Sequence, residues 1–306
     1  MTGIDCPSFT TSAYVWSVPC LLGNILLLIG ITRKKLFRDP QYLFLANLAA
    51  DYIAMIVCTM ARVFALHADL IVFDKVLSLS FHFFARGSFI WINVLSFNRY
   101  FAITKCLRYP LIMTHSNILA VVRMAWLFSA LFQVIACVED LAQSDMICVK
   151  FQGYMGKFSL VILMIFTVFV SVSTSYAVHT SAKRQRNTIM SQIRSLHGER
   201  SEQMDSLIRQ QTKTRGIFIM ICISQAFFIP AICCGLMSLG DKSNLNLVVL
   251  SRHFIGIYTS VSPFLYIATL KPLKSALLNF VRSLVVRCLT SWNQHLNGNN
   301  QIAPIS

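Results

Sequence analysis

Ionisable side chains interrupt stretches otherwise built from Leu, Ile, Val, Phe and Ala, among them Asp51, Arg62, Arg86, Arg99 and Arg252. A charge among apolar neighbours must find a counter-charge, water or a ligand, because hydrocarbon solvates it poorly. Arg86 precedes Arg99 by thirteen residues, about 20 Å along a helix, so the two sit at different depths of one segment. Arg99 closes its apolar run and can snorkel towards polar surroundings. Arg86 lies well inside, with His82 one turn further along the same face. Arg62 and Arg252 lie towards the same side of their own runs as Arg86. Three cations with no acid inside those half-segments suit an anionic or strongly polar ligand, such as a carboxylate. The competing reading pairs them with Asp69, Asp74, Glu139 or Asp140 at the rim. Sequence leaves both open.

The elements that must carry these residues are membrane-spanning. The chain is 56% hydrophobic and 13% charged, with mean hydropathy +0.62, about half the charge of an ordinary soluble domain. Seven apolar runs are long enough to cross a bilayer, at about 13–32, 42–66, 76–101, 117–138, 154–179, 215–239 and 246–270. The first has no small-residue cleavage site and exceeds a signal-peptide core, so it counts as a span. An eighth stretch sets Lys274, Arg282 and Arg287 against apolar faces and predicts an amphipathic helix on the membrane surface. The expected organisation is a seven-helix domain over 1–270, a surface helix over 271–289 and a disordered tail over 290–306. The fold class is all-α, a seven-transmembrane helix bundle plus that surface helix.

Most of the 27 Lys and Arg residues fall in 33–40, 99–116, 180–215 and 271–306. Asp5, Asp69, Asp74, Glu139, Asp140, Asp145 and Asp241 lie in the other connections. By the positive-inside rule the N-terminus is extracellular and the C-terminus cytoplasmic. The net charge of +15 then reads as topology and attraction to anionic membrane lipids. Nucleic acid is the weaker partner, since the basic residues are split among four connections. The long connection 180–214 has good helix formers and one Gly, a composition able to extend the fifth and sixth helices into the cytoplasm. No span carries a catalytic constellation and the ten cysteines have no metal-ligand spacing, so neither an enzyme nor a metal site is expected.

A set of short motifs runs through these spans in order: "GN" at Gly23–Asn24, "LANLAAD" ending at Asp51, "NRY" at 98–100, Trp126, "FFIP" ending at Pro230, and "SPFLY" at 262–266. Together they resemble the rhodopsin-like (class A) G-protein-coupled receptors over all seven helices. "LRYPLIMT" after the NRY resembles the second cytoplasmic loop of odorant receptors, and "FRDPQYLFLANL" with "RNTI" resembles a divergent fish odorant-receptor-like branch.

The resemblance implies roles. Arg99, with Asn98 and Tyr100, would meet a heterotrimeric G protein; Asn98 stands where the family carries an acid that restrains the arginine, and Gln210 stands near a second such place. Pro230 and Pro263 would kink their helices. Tyr266 would swing inwards towards Tyr176, and Phe228 replaces the family's toggle tryptophan. Asp51 would hold a sodium ion with oxygens from Asn24, Ser88, Thr259 and Ser262, or be protonated and hydrogen-bonded instead. The small-molecule ligand would meet Arg86, His82, Phe81, Arg62, Arg252 and Phe228. Phe81 stands where amine receptors carry an Asp, which argues against an amine, and Gly256 replaces the retinal lysine, which argues against light sensing.

The family's outer disulfide is not expected, because Asp74 stands at its third-span position. Cys148 is a disulfide candidate with either Cys6 or Cys137 as its partner, and sequence does not choose. No N-glycosylation sequon occurs. Cys288, beside Arg287, is a palmitoylation candidate or a plain thiol. The expected function is a plasma-membrane chemosensory receptor. The alternatives are a non-signalling or chaperone-like relative, and a transporter or channel, which would need the paired interrupted helices of related halves.

Overall fold

The structure, a computed structural model, describes residues 6–105, 108–142, 162–177, 179–181, 183, 184, 187, 223, 226–234, 236, 237 and 245–298. All regular structure among these residues is helical. The order is α1 (Cys6–Arg33), a 3₁₀ turn (Leu36–Arg38), α2 (Pro40–His67), α3 (Ile71–Thr104), the single-turn α4 (Tyr109–Ile112) and α5 (His115–Ala142). Then come α6 (Ile162–Ser181), α7 (226–234), α8 (Leu245–Thr269) and α9 (Lys271–Gly298).

The boundaries follow local chemistry. Asp39 caps α2 by accepting from the Gln41 backbone N–H at 3.0 Å, and Pro40 opens the first turn. At the other end Asp69 takes a left-handed conformation (φ 53°) and the Leu70 N–H returns to the Ala65 carbonyl, a Schellman-type stop built without glycine. α3 begins before and ends after the expected 76–101, because helical hydrogen bonding continues past the apolar run.

Among the described residues, four helices qualify as spans by length and composition: Val15–Arg33, Pro40–Ala65, His115–Val134 and Ile162–Ser181. The pair α8 and α9, bent by 95°, adds a fifth. α3 has the length, 34 residues, but too many polar groups. They point inwards: Arg86, Ser88, Asn93, Ser96, Asn98 and Arg99 are all buried. The outside is correspondingly apolar, with Val18, Leu22, Val57, Phe64, Leu127, Leu131 and Phe169 exposed, as a protein dissolved in lipid requires.

α3 is therefore the axis of the bundle. Its Trp91 packs against Phe44 of α2 and Trp126 of α5, and the Trp126 indole donates to Asn47 of α2 at 3.3 Å. Asn93 donates to the Thr167 hydroxyl of α6 at 2.9 Å, and Phe89 meets Phe228 of α7. α1 closes on α8: a side chain at Gly23 would place its Cβ 2.6 Å from the Pro263 ring, so only hydrogen fits there. The Ser260 hydroxyl donates to the Trp16 carbonyl, and the Trp16 indole donates to His253 Nδ1 at 2.9 Å.

α9 continues to Gly298, past the expected end at 289, because no Pro or Gly interrupts residues 273–297. The expected disordered tail is helical over 290–298.

Candidate functional site

At one end of α3, Asn98 and Arg99 are almost fully buried, at 2% and 6% exposed. Arg99 does not snorkel outwards. Its guanidinium lies over the Tyr266 ring of α8, 5.7 Å from the centroid, a cation–π arrangement that shelters a charge without neutralising it. Arg99 Nη2 has no hydrogen-bond partner among the described residues. Beside it, the Tyr109 hydroxyl donates to Asn98 Oδ1 at 2.9 Å. Burial, with Asp39 adding to it, holds the Tyr109 phenol above its ordinary pKa, so it stays a donor. The short α4 is thus tied to the position where the resemblance expects an acid. Tyr109 was not singled out in sequence, although the Pro110 that follows it marks a helix start.

The remaining residues of that group divide. Tyr100 packs edge-on against Phe101. Tyr176 is 72% exposed and does not reach towards Tyr266 in this geometry, because its place on α6 faces outwards. Pro263 packs on α1, as above, and Pro230 lies half-buried in α7.

In the middle of the bundle Asp51 is fully buried. Neither carboxylate oxygen has a hydrogen-bond donor among the described residues. α3 passes so close that a Cβ on Gly87 would lie 2.5 Å from Asp51 Oδ2. Of the expected ligands, the Asn24 amide donates to the Cys20 carbonyl at 2.8 Å, the Ser88 hydroxyl to the Ala85 carbonyl and the Thr259 hydroxyl to the Gly256 carbonyl. Ser262 Oγ has no partner among the described residues. The hydroxyls that donate into their own helices keep lone pairs available. A buried carboxylate with no donor costs several kcal/mol unless a proton or cation joins it. The residues fit either.

Towards the other end of α3, Arg86 is 3% exposed and its guanidinium donates to the Gln133 side-chain oxygen of α5. Gln133, missed in sequence, joins α5 to α3 by accepting from this guanidinium through its amide oxygen. His82 stands half-buried one turn away, edge-on to Phe81 at 5.5 Å. Arg62 behaves differently: its Nε pairs with Asp74 Oδ1 at 2.9 Å, joining α2 to α3. That is the rim pairing weighed above. Phe228 is 1% exposed, wedged between Phe89 and Tyr258 at 5.4 and 4.7 Å, so it is packed core here. The side chain of Arg252 lies outside the described residues, as do those of Cys6 and Cys137 and the whole of Cys148, so neither disulfide expectation is addressed. Cys288 is a free, exposed thiol.

Comparison with known proteins adds the following. The sequence pattern of the 7 transmembrane receptor (rhodopsin family) matches residues 23–266. The chain is 34% identical to human "Olfactory receptor 52B4" over 112 residues, 34% of this chain and 35% of that protein. It is 27% identical to human "Olfactory receptor 4L1" over 131 residues, covering 41% and 42%. It is 29% identical to the Danio rerio "Alpha-2Da adrenergic receptor" over 117 residues, covering 36% and 28%. The chain thus spans less than half the length of each of these relatives.

Proposed function

Because the chain belongs to the rhodopsin family of seven-transmembrane receptors, a family of receptors and not of enzymes, we propose that it is a chemosensory receptor for a small acidic or strongly polar ligand. Binding in the outer half of the bundle activates a heterotrimeric G protein at the cytoplasmic end. The chain sits in the plasma membrane with its N-terminus outside and its C-terminus inside, which the distribution of basic residues supports.

One observation carries this reading: α3 buries a cation near each end, in different company. Arg86 is buried with Gln133 among its partners, at a depth where a ligand carboxylate is rewarded by a charge-assisted hydrogen bond to a guanidinium. Arg99 rests on Tyr266 with Asn98 held by Tyr109, so a movement of α8 or α4 frees it for the G protein. Asp51 lies between them and holds a proton or, with oxygens of Ser88, Thr259 and Ser262, a sodium ion. Such an ion would screen the buried carboxylate and brace α2 against α3.

The test is a panel of odorants, amino acids and carboxylates applied to the expressed receptor, read by cAMP and calcium. Acidic ligands elicit responses that Arg86→Gln removes, while responses to neutral ligands and surface expression persist. Acid responses retained in Arg86→Gln would return Arg86 to a purely structural role.

A further inference from the structure

Arg123 breaks the apolar outside of α5. The two sides of this helix differ. Ile118, Ala125 and Ser129 are buried against the bundle, and Trp126 reaches Trp91 and Asn47. Only 17% of this span is buried, against 39%, 50% and 41% of the other three single-helix spans described, so α5 is the most peripheral of them. The opposite side carries Arg123, Leu127, Ala130, Leu131 and Val134, all exposed, at the i, i+4, i+7, i+8, i+11 spacing of one helix face. The small Ala130 lets another backbone come close there. Arg123 lies eight residues into the span that begins at His115, about 12 Å along the axis, in a hydrocarbon core about 30 Å thick. Leaning back towards the start of the helix, its side chain recovers about one turn, or about 5 Å. The guanidinium therefore stays inside the apolar layer. Among the described residues no carboxylate or other acceptor meets it.

A charge at such a depth is costly until a counter-charge joins it, and the charge decides what covers this face. A second copy docking by the same face would set Arg123 against its own image. Nor does a copy offer a carboxylate at this depth from the acids whose side chains are described: Asp51 is fully buried, and Asp39, Asp69 and Asp74 lie at helix ends. A lipid phosphate stays at the headgroup level, above the guanidinium. We propose that this face of α5 docks a transmembrane helix of a different protein, one that carries an aspartate or glutamate at the depth of Arg123. The carboxylate accepts charge-assisted hydrogen bonds from the guanidinium, and an apolar stripe of that helix packs on Leu127, Leu131 and Val134. The surface depends on the membrane-spanning fold and on neither a receptor ligand nor a G protein.

The experiment places the full chain, labelled with a donor fluorophore, in phosphatidylcholine vesicles. The probe is a Leu/Ala-rich transmembrane peptide of about twenty residues that carries an acceptor fluorophore and a single Glu about 12 Å from one end. Energy transfer reports their association. The same peptide with Leu in place of Glu associates about tenfold more weakly. Arg123→Leu, which puts an apolar side chain towards the lipid and breaks no described contact, weakens association with the Glu peptide by about the same factor. Arg123→Lys restores most of it. Ala130→Trp keeps the charge but blocks the face and also weakens association, whereas Phe169→Ala on the exposed side of α6 leaves it unchanged. Association that survives Arg123→Leu or Ala130→Trp overturns the surface. Loss of peptide association on adding phosphatidylserine to the vesicles overturns it in favour of a lipid headgroup. Energy transfer between two labelled copies of the chain that Arg123→Leu abolishes overturns the choice of a different protein.

Discussion

Removing one hydroxyl should loosen the receptor's resting state. Tyr109→Phe deletes the donor to Asn98 Oδ1 while keeping the ring that packs α4. The bond is neutral and 2.9 Å long, and its acceptor is 2% exposed. A neutral hydrogen bond of this sort contributes about 1 kcal/mol net. If α4 holds Asn98 only at rest, that energy shifts the resting equilibrium by about fivefold. Basal cAMP per surface receptor should therefore rise by about that factor in Tyr109→Phe. Asn98→Ala should raise it similarly, since it removes the other half of the same bond. The double variant should do no more than either single one, because a shared interaction is lost only once. Multiplying effects in the double variant would show that the two side chains act separately, and the latch would fall. Asn98→Asp sharpens the case: a carboxylate accepts from Tyr109 about twice as strongly and lies beside Arg99. Basal signalling should fall below wild type.

Three further outcomes follow from the geometry. Gly23→Ala drives a Cβ to 2.6 Å from the Pro263 ring, a rigid neighbour, and should cost about 1–3 kcal/mol. Thermal unfolding of the purified receptor should show it. Gly30→Ala meets only the flexible Leu273 tip at 3.4 Å and gains helix propensity, so it should melt at or slightly above wild type. Arg62→Gln breaks a pair whose side chains are 23% and 22% exposed, costing at most about 1 kcal/mol. The acid-over-neutral ligand preference should survive it, unlike Arg86→Gln, as concentration–response curves will show.

The all-α, seven-transmembrane fold class was legible because apolar runs of bilayer length leave few alternatives, and the start of α2 is written in Asp39 and Pro40. The length of α9 was less so: its polar second half reads as a tail unless the absence of Pro and Gly up to Gly298 is weighed more heavily. For the site, sequence named Arg86, Arg99 and Asp51 from the cost of burying charge, and Asn98 from the family resemblance. It did not name their company. Gln133 and Tyr109 meet their partners across 47 and 11 residues, a pairing that helix packing decides and periodicity does not encode. Rotation about the helix axis likewise decided Tyr176 and Phe228, one turned outwards and one sealed in the core. Arg62 was caught between two readings until the ends of α2 and α3 brought Asp74 within 2.9 Å.

The central claim is that a signal entering the bundle leaves through Arg99. The direct measurement is ligand-evoked G-protein activation by Arg99→Ala at matched surface expression, with binding of the same ligand measured in parallel. The account predicts that activation disappears while the receptor still reaches the surface and still binds. Wild-type activation in that variant would contradict it.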